Sequence, residues 1–71
     1  MQTEKIGEMI ERIRKERGIT QAELAEKSGI DKGTIWRIEG GLMPRIETLS
    51  KILAVLGYSF EVVEVPAEAR P

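Results

Sequence analysis

The 71-residue chain contains no cysteine and no histidine. Disulfides, thiolate nucleophiles and the usual zinc sites are therefore excluded together. Its serines and acids fall in helix caps and on exposed helix faces, and no nucleophile stands with a base, so no enzyme, metal or cofactor is expected. No apolar run approaches the roughly 20 residues needed to span a bilayer. The opening MQTEKIGEMIERIRKERG is charged throughout, unlike a secretory signal. With the lack of cysteine, this leads us to expect a cytoplasmic chain. Internal repeats and low-complexity segments are absent as well. A chain of this length makes one small domain whose core is marginal, which calls for tidy helix packing or a second copy.

What is present is charge, in near balance. The net charge is -1, but it is unevenly placed. Residues 1–56 carry ten Lys+Arg and nine Asp+Glu, whereas residues 57–71 carry Glu61, Glu64 and Glu68 against Arg70. The acidity lies after the segments that read as helices. A small nucleic-acid-binding protein needs a basic face rather than a basic total.

The stretch Ile19–Gly41, ITQAELAEKSGIDKGTIWRIEGG, organises the rest. Thr20 and Glu23 have the spacing of a capping box, with Ile19 and Leu24 at the positions of a hydrophobic staple. Asp31 can cap a second helix, with Ile30 and Ile35 at the same two staple positions. Ser28-Gly29 between them supplies a turn. Two capped helices joined by a short glycine turn match a helix-turn-helix, whose second helix can enter a DNA major groove.

Along the chain, helix 1 is predicted from Thr3 or Glu4 to Arg17, with Ile6, Met9, Ile10 and Ile13 as its apolar stripe. Glu8–Arg12 and Glu11–Lys15 have favourable i,i+4 spacing. Gly7 is costly inside a helix, and either tight packing against a neighbour or simple tolerance would explain it. Helix 2 covers about Gln21 to Lys27, helix 3 about Lys32 to Glu39, and helix 4 about Ile46 to Leu56. Ile46, Leu49, Ile52, Leu53 and Leu56 form the stripe of the last, and Gly57 is its stop. Tyr58–Val65, YSFEVVEV, is rich in aromatic and β-branched residues and reads as a strand. A lone strand leaves its backbone unpaired, so Tyr58, Phe60, Val62, Val63 and Val65 are expected to pair with the same strand of a second copy. The alternative is that Phe60, Val62 and Val63 pack back onto helices 1 and 4. The expected divisions are 1–57 as the helical domain, 58–65 as a dimerisation strand and 66–71 as a flexible tail.

From about Ile10 to Gly57 the sequence resembles the Cro and phage-repressor type helix-turn-helix family of bacterial regulators. The residues that carry the match are Arg14, Gly18–Ala25, Ser28–Gly41, Pro44 and Glu47–Gly57. The resemblance implies a mainly α fold of lambda-repressor-like type. Four helices, with room for a short fifth turn, would make a bundle whose third helix reads DNA. It also implies a structural ion pair between Arg14 and Glu39, and a phosphate contact at Gln21. Arg45 departs from the family's usual serine-like cap, and Gly33 gives up a side-chain contact in the recognition helix. A short chain of this family ending in a strand resembles the antitoxins of toxin–antitoxin operons, especially those that neutralise HipA-type kinases. In those proteins two strands pair, and the dimer represses its own operon.

With Ile35 and Ile38 inward, Lys32, Gly33, Thr34, Trp36 and Arg37 form the outward set of helix 3. Lys32 and Arg37 can donate to guanine O6 and N7, or serve as solvated or phosphate-bound cations. Thr34 can bond a phosphate, pack a thymine methyl group or bond its own helix. Trp36 can enter the groove or cover Leu42-Met43. Gln21 and Arg45 at two helix starts can reach phosphates, whereas Lys27 and Lys51 read as plain solvated charges. The expected function is a sequence-specific repressor that binds a palindromic operator as a homodimer, an autoregulating antitoxin with a toxin protein as partner. A stand-alone regulator without a toxin and a protein–protein interaction module are the alternatives.

Overall fold

A computed structural model describes residues 4–61 and 63–71. Among the described residues four helices carry the domain: α1 Ile6–Glu16, α2 Gln21–Ser28, α3 Lys32–Glu39 and α4 Ile46–Leu56. A single 3-10 turn, Ala67–Ala69, follows near the end. Helix α1 packs on α3 and α4, while α2 packs on both α3 and α4.

Local sequence sets the helix boundaries. At α2 the Thr20 hydroxyl accepts the Glu23 N–H at 3.0 Å, and the Glu23 carboxylate accepts the Thr20 N–H at 3.1 Å. This reciprocal box also holds the Glu23 carboxyl below its ordinary range, first through the Thr20 backbone donor. At α3 the Asp31 carboxylate accepts the Thr34 N–H at 3.2 Å. Gly29 ends α2 in the left-handed conformation, at φ 75°, which lets the chain turn into α3 within three residues. Helix α4 ends in the same way at Gly57, where the Tyr58 N–H reaches back to the Leu53 carbonyl at 2.8 Å.

The core is aliphatic. Ile10 and Ile13 of α1, Leu24 of α2, Ile35 and Ile38 of α3, and Leu49, Ile52, Leu53 and Leu56 of α4 are buried in one cluster. Each contributes roughly 1.5–3 kcal/mol relative to exposure. Ile19 and Ile30, which precede the two caps, pack against the cluster from outside. Gly7 is buried because α1 crosses the end of α3 at backbone distance: a Cβ there would collide with the Ile38 carbonyl. Tight packing, not tolerance, explains this glycine.

Three expectations are corrected. Ile46 is 77% exposed, because it opens α4 in its first turn, beyond the reach of the other helices. Arg12 pairs with Glu4, at 2.8 and 2.9 Å, and with Glu16, instead of Glu8. Glu4, two residues before the helix, offers the Arg12 guanidinium a two-pronged carboxylate. Within one copy no strand forms over 58–65 among the described residues, because the domain itself offers no edge to pair with. Nor does the segment pack away: Phe60 is 46% and Val63 is 71% exposed. Thr3, one proposed start of helix 1, and Val62 of the expected strand lie outside the described residues.

Candidate nucleic-acid interface

The helix-turn-helix is held by a buried polar knot. Arg14 of α1 donates from Nε and Nη2 to the two carboxylate oxygens of Glu39 at 2.8 and 3.0 Å, and from Nη1 to the Ile19 carbonyl at 2.9 Å. The Gln21 side-chain amide, opening α2, donates to the same Glu39 at 3.0 Å. One carboxylate at the end of α3 therefore fixes the end of α1 and the start of α2. Burial pushes the Glu39 carboxyl up, but the hydrogen bonds from Arg14 and Gln21 and the Arg14 charge outweigh it, so the net shift is downward.

Around the start of α2 lies an open hollow, lined in part by Lys15, Gly18, Thr20, Gln21, Ala22 and Lys32. The Gln21 and Ala22 amides are at positions without partners inside the helix, and two lysines stand at the rim, an arrangement that suits a phosphate. The Gln21 side chain is not wholly free for that role. One amide hydrogen is committed to Glu39, which leaves the second and the backbone amides. Lys15 shares this hollow although its spacing marked it only as the ion-pair partner of Glu11. The signal available was its place one turn before the α1–α2 bend.

Helix α3 shows two faces. Ile35 and Ile38 are buried, Lys32, Trp36 and Arg37 are exposed, and Gly33 and Thr34 are half-buried. Trp36 is 67% exposed and does not cover the following loop, whose Leu42 and Met43 are themselves bare. Thr34 and Arg45 line a second hollow between α3 and α4. Arg45 makes no side-chain cap to α4. Ion pairs engage only some of the cations. Arg12, Arg14 and Lys15 of α1 are in ion pairs, whereas Lys32, Arg37 and Arg45 have no carboxylate within 4.0 Å among the described residues. Unpaired guanidinium and ammonium groups on one side of a helix are available to an anionic ligand without first breaking a bond. After α4, Tyr58, Phe60, Val63 and Val65 are exposed, with the Arg17 guanidinium 5.7 Å from the Tyr58 ring centre.

Residues 10–63 match the model of the helix-turn-helix family. The HTH-type transcriptional regulators SinR of Bacillus subtilis (strain 168) and of Bacillus licheniformis are each 45% identical over 56 residues, spanning 76% of this chain and 50% of theirs. The chain thus spans about half the length of these curated relatives. Two solved structures align with TM-scores of 0.71 and 45% identity over 76% of the chain. One is a SinR–SinI protein complex, of which 54% of the matched chain is covered. The other is a crystal structure of SinR, the master regulator for biofilm formation, in complex with DNA, of which 89% is covered. Capped helices, aliphatic core and matched sequence agree: the chain belongs to the helix-turn-helix family.

Proposed function

We propose that this chain is a sequence-specific, double-stranded DNA-binding transcriptional regulator and not an enzyme. Helix α3 lies in the major groove and turns Lys32, Gly33, Thr34, Trp36 and Arg37 to the base edges. Gln21, Thr34 and Arg45 hold the flanking phosphates. The observation that carries this reading is the division of α3 into a buried aliphatic face and an outer face with unpaired Lys32 and Arg37 beside an exposed Trp36. The name of SinR as a transcriptional regulator, and its structure with DNA, support the reading. The chain acts as a repressor, and it does so as a homodimer in which residues 58–65 of two copies pair. That pairing would bury Tyr58, Phe60, Val63 and Val65, which one copy leaves exposed. The two α3 helices then lie about 34–36 Å apart on a palindromic operator.

Selection from random duplex oligonucleotides tests this. A two-fold symmetric sequence should emerge. Binding to it should weaken with salt at a log-log slope of about -5, if six phosphates are contacted. A failure to enrich any sequence at low salt would instead favour a protein–protein module. The antitoxin reading depends on the terminal segment alone. A larger toxin co-purifying with the chain supports it, and a chain that recovers only itself and DNA supports the stand-alone regulator.

A further inference from the structure

Gly33 occupies a crowded point on α3. The Asp31 carboxylate Oδ2 lies 2.9 Å, and the two terminal nitrogens of Arg37 lie 3.9 and 4.0 Å, from the place where a Gly33 Cβ would stand. An acidic and a basic side chain thus converge from below and above over a residue with no side chain of its own. They do not close an ion pair within 4.0 Å. Asp31 spends Oδ2 on the Thr34 N–H, and Oδ1 takes no donor among the described residues. The Arg37 guanidinium likewise makes no hydrogen bond among them. The result is an acceptor from the cap and a forked donor from the last turn of α3, both on exposed residues and both within 4.0 Å of the Gly33 Cβ position.

A G·C pair is the base pair with the complementary edge. In the major groove guanine offers two acceptors, N7 and O6, and the paired cytosine offers one donor, N4–H. A guanidinium can bridge the first two, and a carboxylate beside it can accept the third. An A·T pair places a donor where the guanidinium needs an acceptor, and its thymine O4 would face the carboxylate acceptor to acceptor.

We propose that Asp31 is a specificity-determining residue as well as a helix cap, and that with Arg37 across the bare Gly33 it reads a single G·C pair. The inference rests on the proposed DNA-reading function and names what that face recognises. The missing side chain at Gly33 is then a requirement: it gives the base pair access to both groups at once.

The test is selection from random duplex oligonucleotides with the full chain and with Asp31→Ser, Arg37→Ala and Gly33→Ala. Serine caps helices about as well as aspartate, and thermal melting of each variant checks the fold. Asp31→Ser and Arg37→Ala should each lower the preference for G·C at the same single position, by roughly five- to a hundredfold. Asp31→Ser should also tighten binding to unrelated duplex, because an acid has left a surface that meets phosphates. Gly33→Ala should weaken the same preference. If Asp31→Ser leaves the selected sequence unchanged, alters a different position from Arg37→Ala, or changes all sequences equally, Asp31 is only a cap and the inference is overturned. If the unaltered chain selects no sequence, the DNA-reading function fails first and the inference falls with it.

Discussion

Replacing Glu39 by glutamine keeps the shape of the polar knot and removes its charge. In the native chain the carboxylate takes three donors, two from Arg14 and one from Gln21, with its side chain 3% exposed. Glutamine retains one acceptor oxygen. It therefore turns an NH2 group toward Arg14 or toward Gln21 and leaves a cation with only the Ile19 carbonyl and half of its former partner. Removing one member of a buried pair costs about 3–5 kcal/mol. Arg14 keeps 11% of its side chain in contact with water and keeps the Ile19 bond, so the lower end of that range applies, about 3 kcal/mol. For a domain of this size that is a fall in Tm of roughly 10–20 °C. The sign with pH is fixed by the downward shift of Glu39. The ion pair's contribution is fully present above the ordinary carboxyl value of 4.5, and it is lost as pH falls through the lower folded value. Urea and thermal melts followed by far-ultraviolet circular dichroism at pH 7, and stepwise down to pH 3, should show a constant gap between native and variant proteins above pH 4.5 that narrows below it. A variant within about 0.5 kcal/mol of native at pH 7, the range of ordinary surface changes, would refute the reasoning. So would a gap that does not respond to acid.

Other perturbations separate fold from interface. Gly7→Ala should destabilise by about 1 kcal/mol or more, because overpacking against the Ile38 carbonyl exceeds the gain in helix propensity; chemical denaturation measures it. Arg45→Ser should raise stability by about 1 kcal/mol by capping α4. It should also weaken DNA binding evenly across sequences and flatten the salt slope of the dimer by roughly 2, one phosphate contact from each copy, as read by fluorescence anisotropy. Trp36→Ala should leave the melting temperature nearly unchanged, since the ring is 67% exposed, and should lower affinity for the selected duplex. Deoxyuridine in place of thymidine should reproduce that loss in the native protein if the indole packs on thymine methyl groups. Phe60→Lys should convert a dimer to a monomer in sedimentation equilibrium while the helical signal is retained.

The helix-turn-helix was legible because its information is local. Thr20 with Glu23 and Asp31 with Thr34 are contacts three residues apart, and the aliphatic period marks the buried faces of α1 and α4 directly. The Arg14–Glu39 pair spans 25 residues and came only through resemblance, not through spacing. What stayed hidden depends on how helices sit against one another. Ile46 continues the stripe of α4 by period, yet no neighbour extends far enough to cover it. Gln21 reads as a free helix opener until α3 brings Glu39 to it. Asp31 reads as a cap, and only the placement of Arg37 over Gly33 reveals a second surface. The segment Tyr58–Val65 has the composition of a strand, but strand formation needs an edge, and composition cannot supply one.

The claim that α3 meets base edges is tested most directly by methylation interference on the selected duplex. Dimethyl sulfate alkylates guanine N7 in the major groove and adenine N3 in the minor groove. The account predicts that N7 methylation at one guanine per half-site abolishes binding of the native chain, and that Arg37→Ala becomes indifferent to it. Interference confined to adenine N3, or an Arg37→Ala variant that is still blocked by the same N7 methyl group, would contradict it.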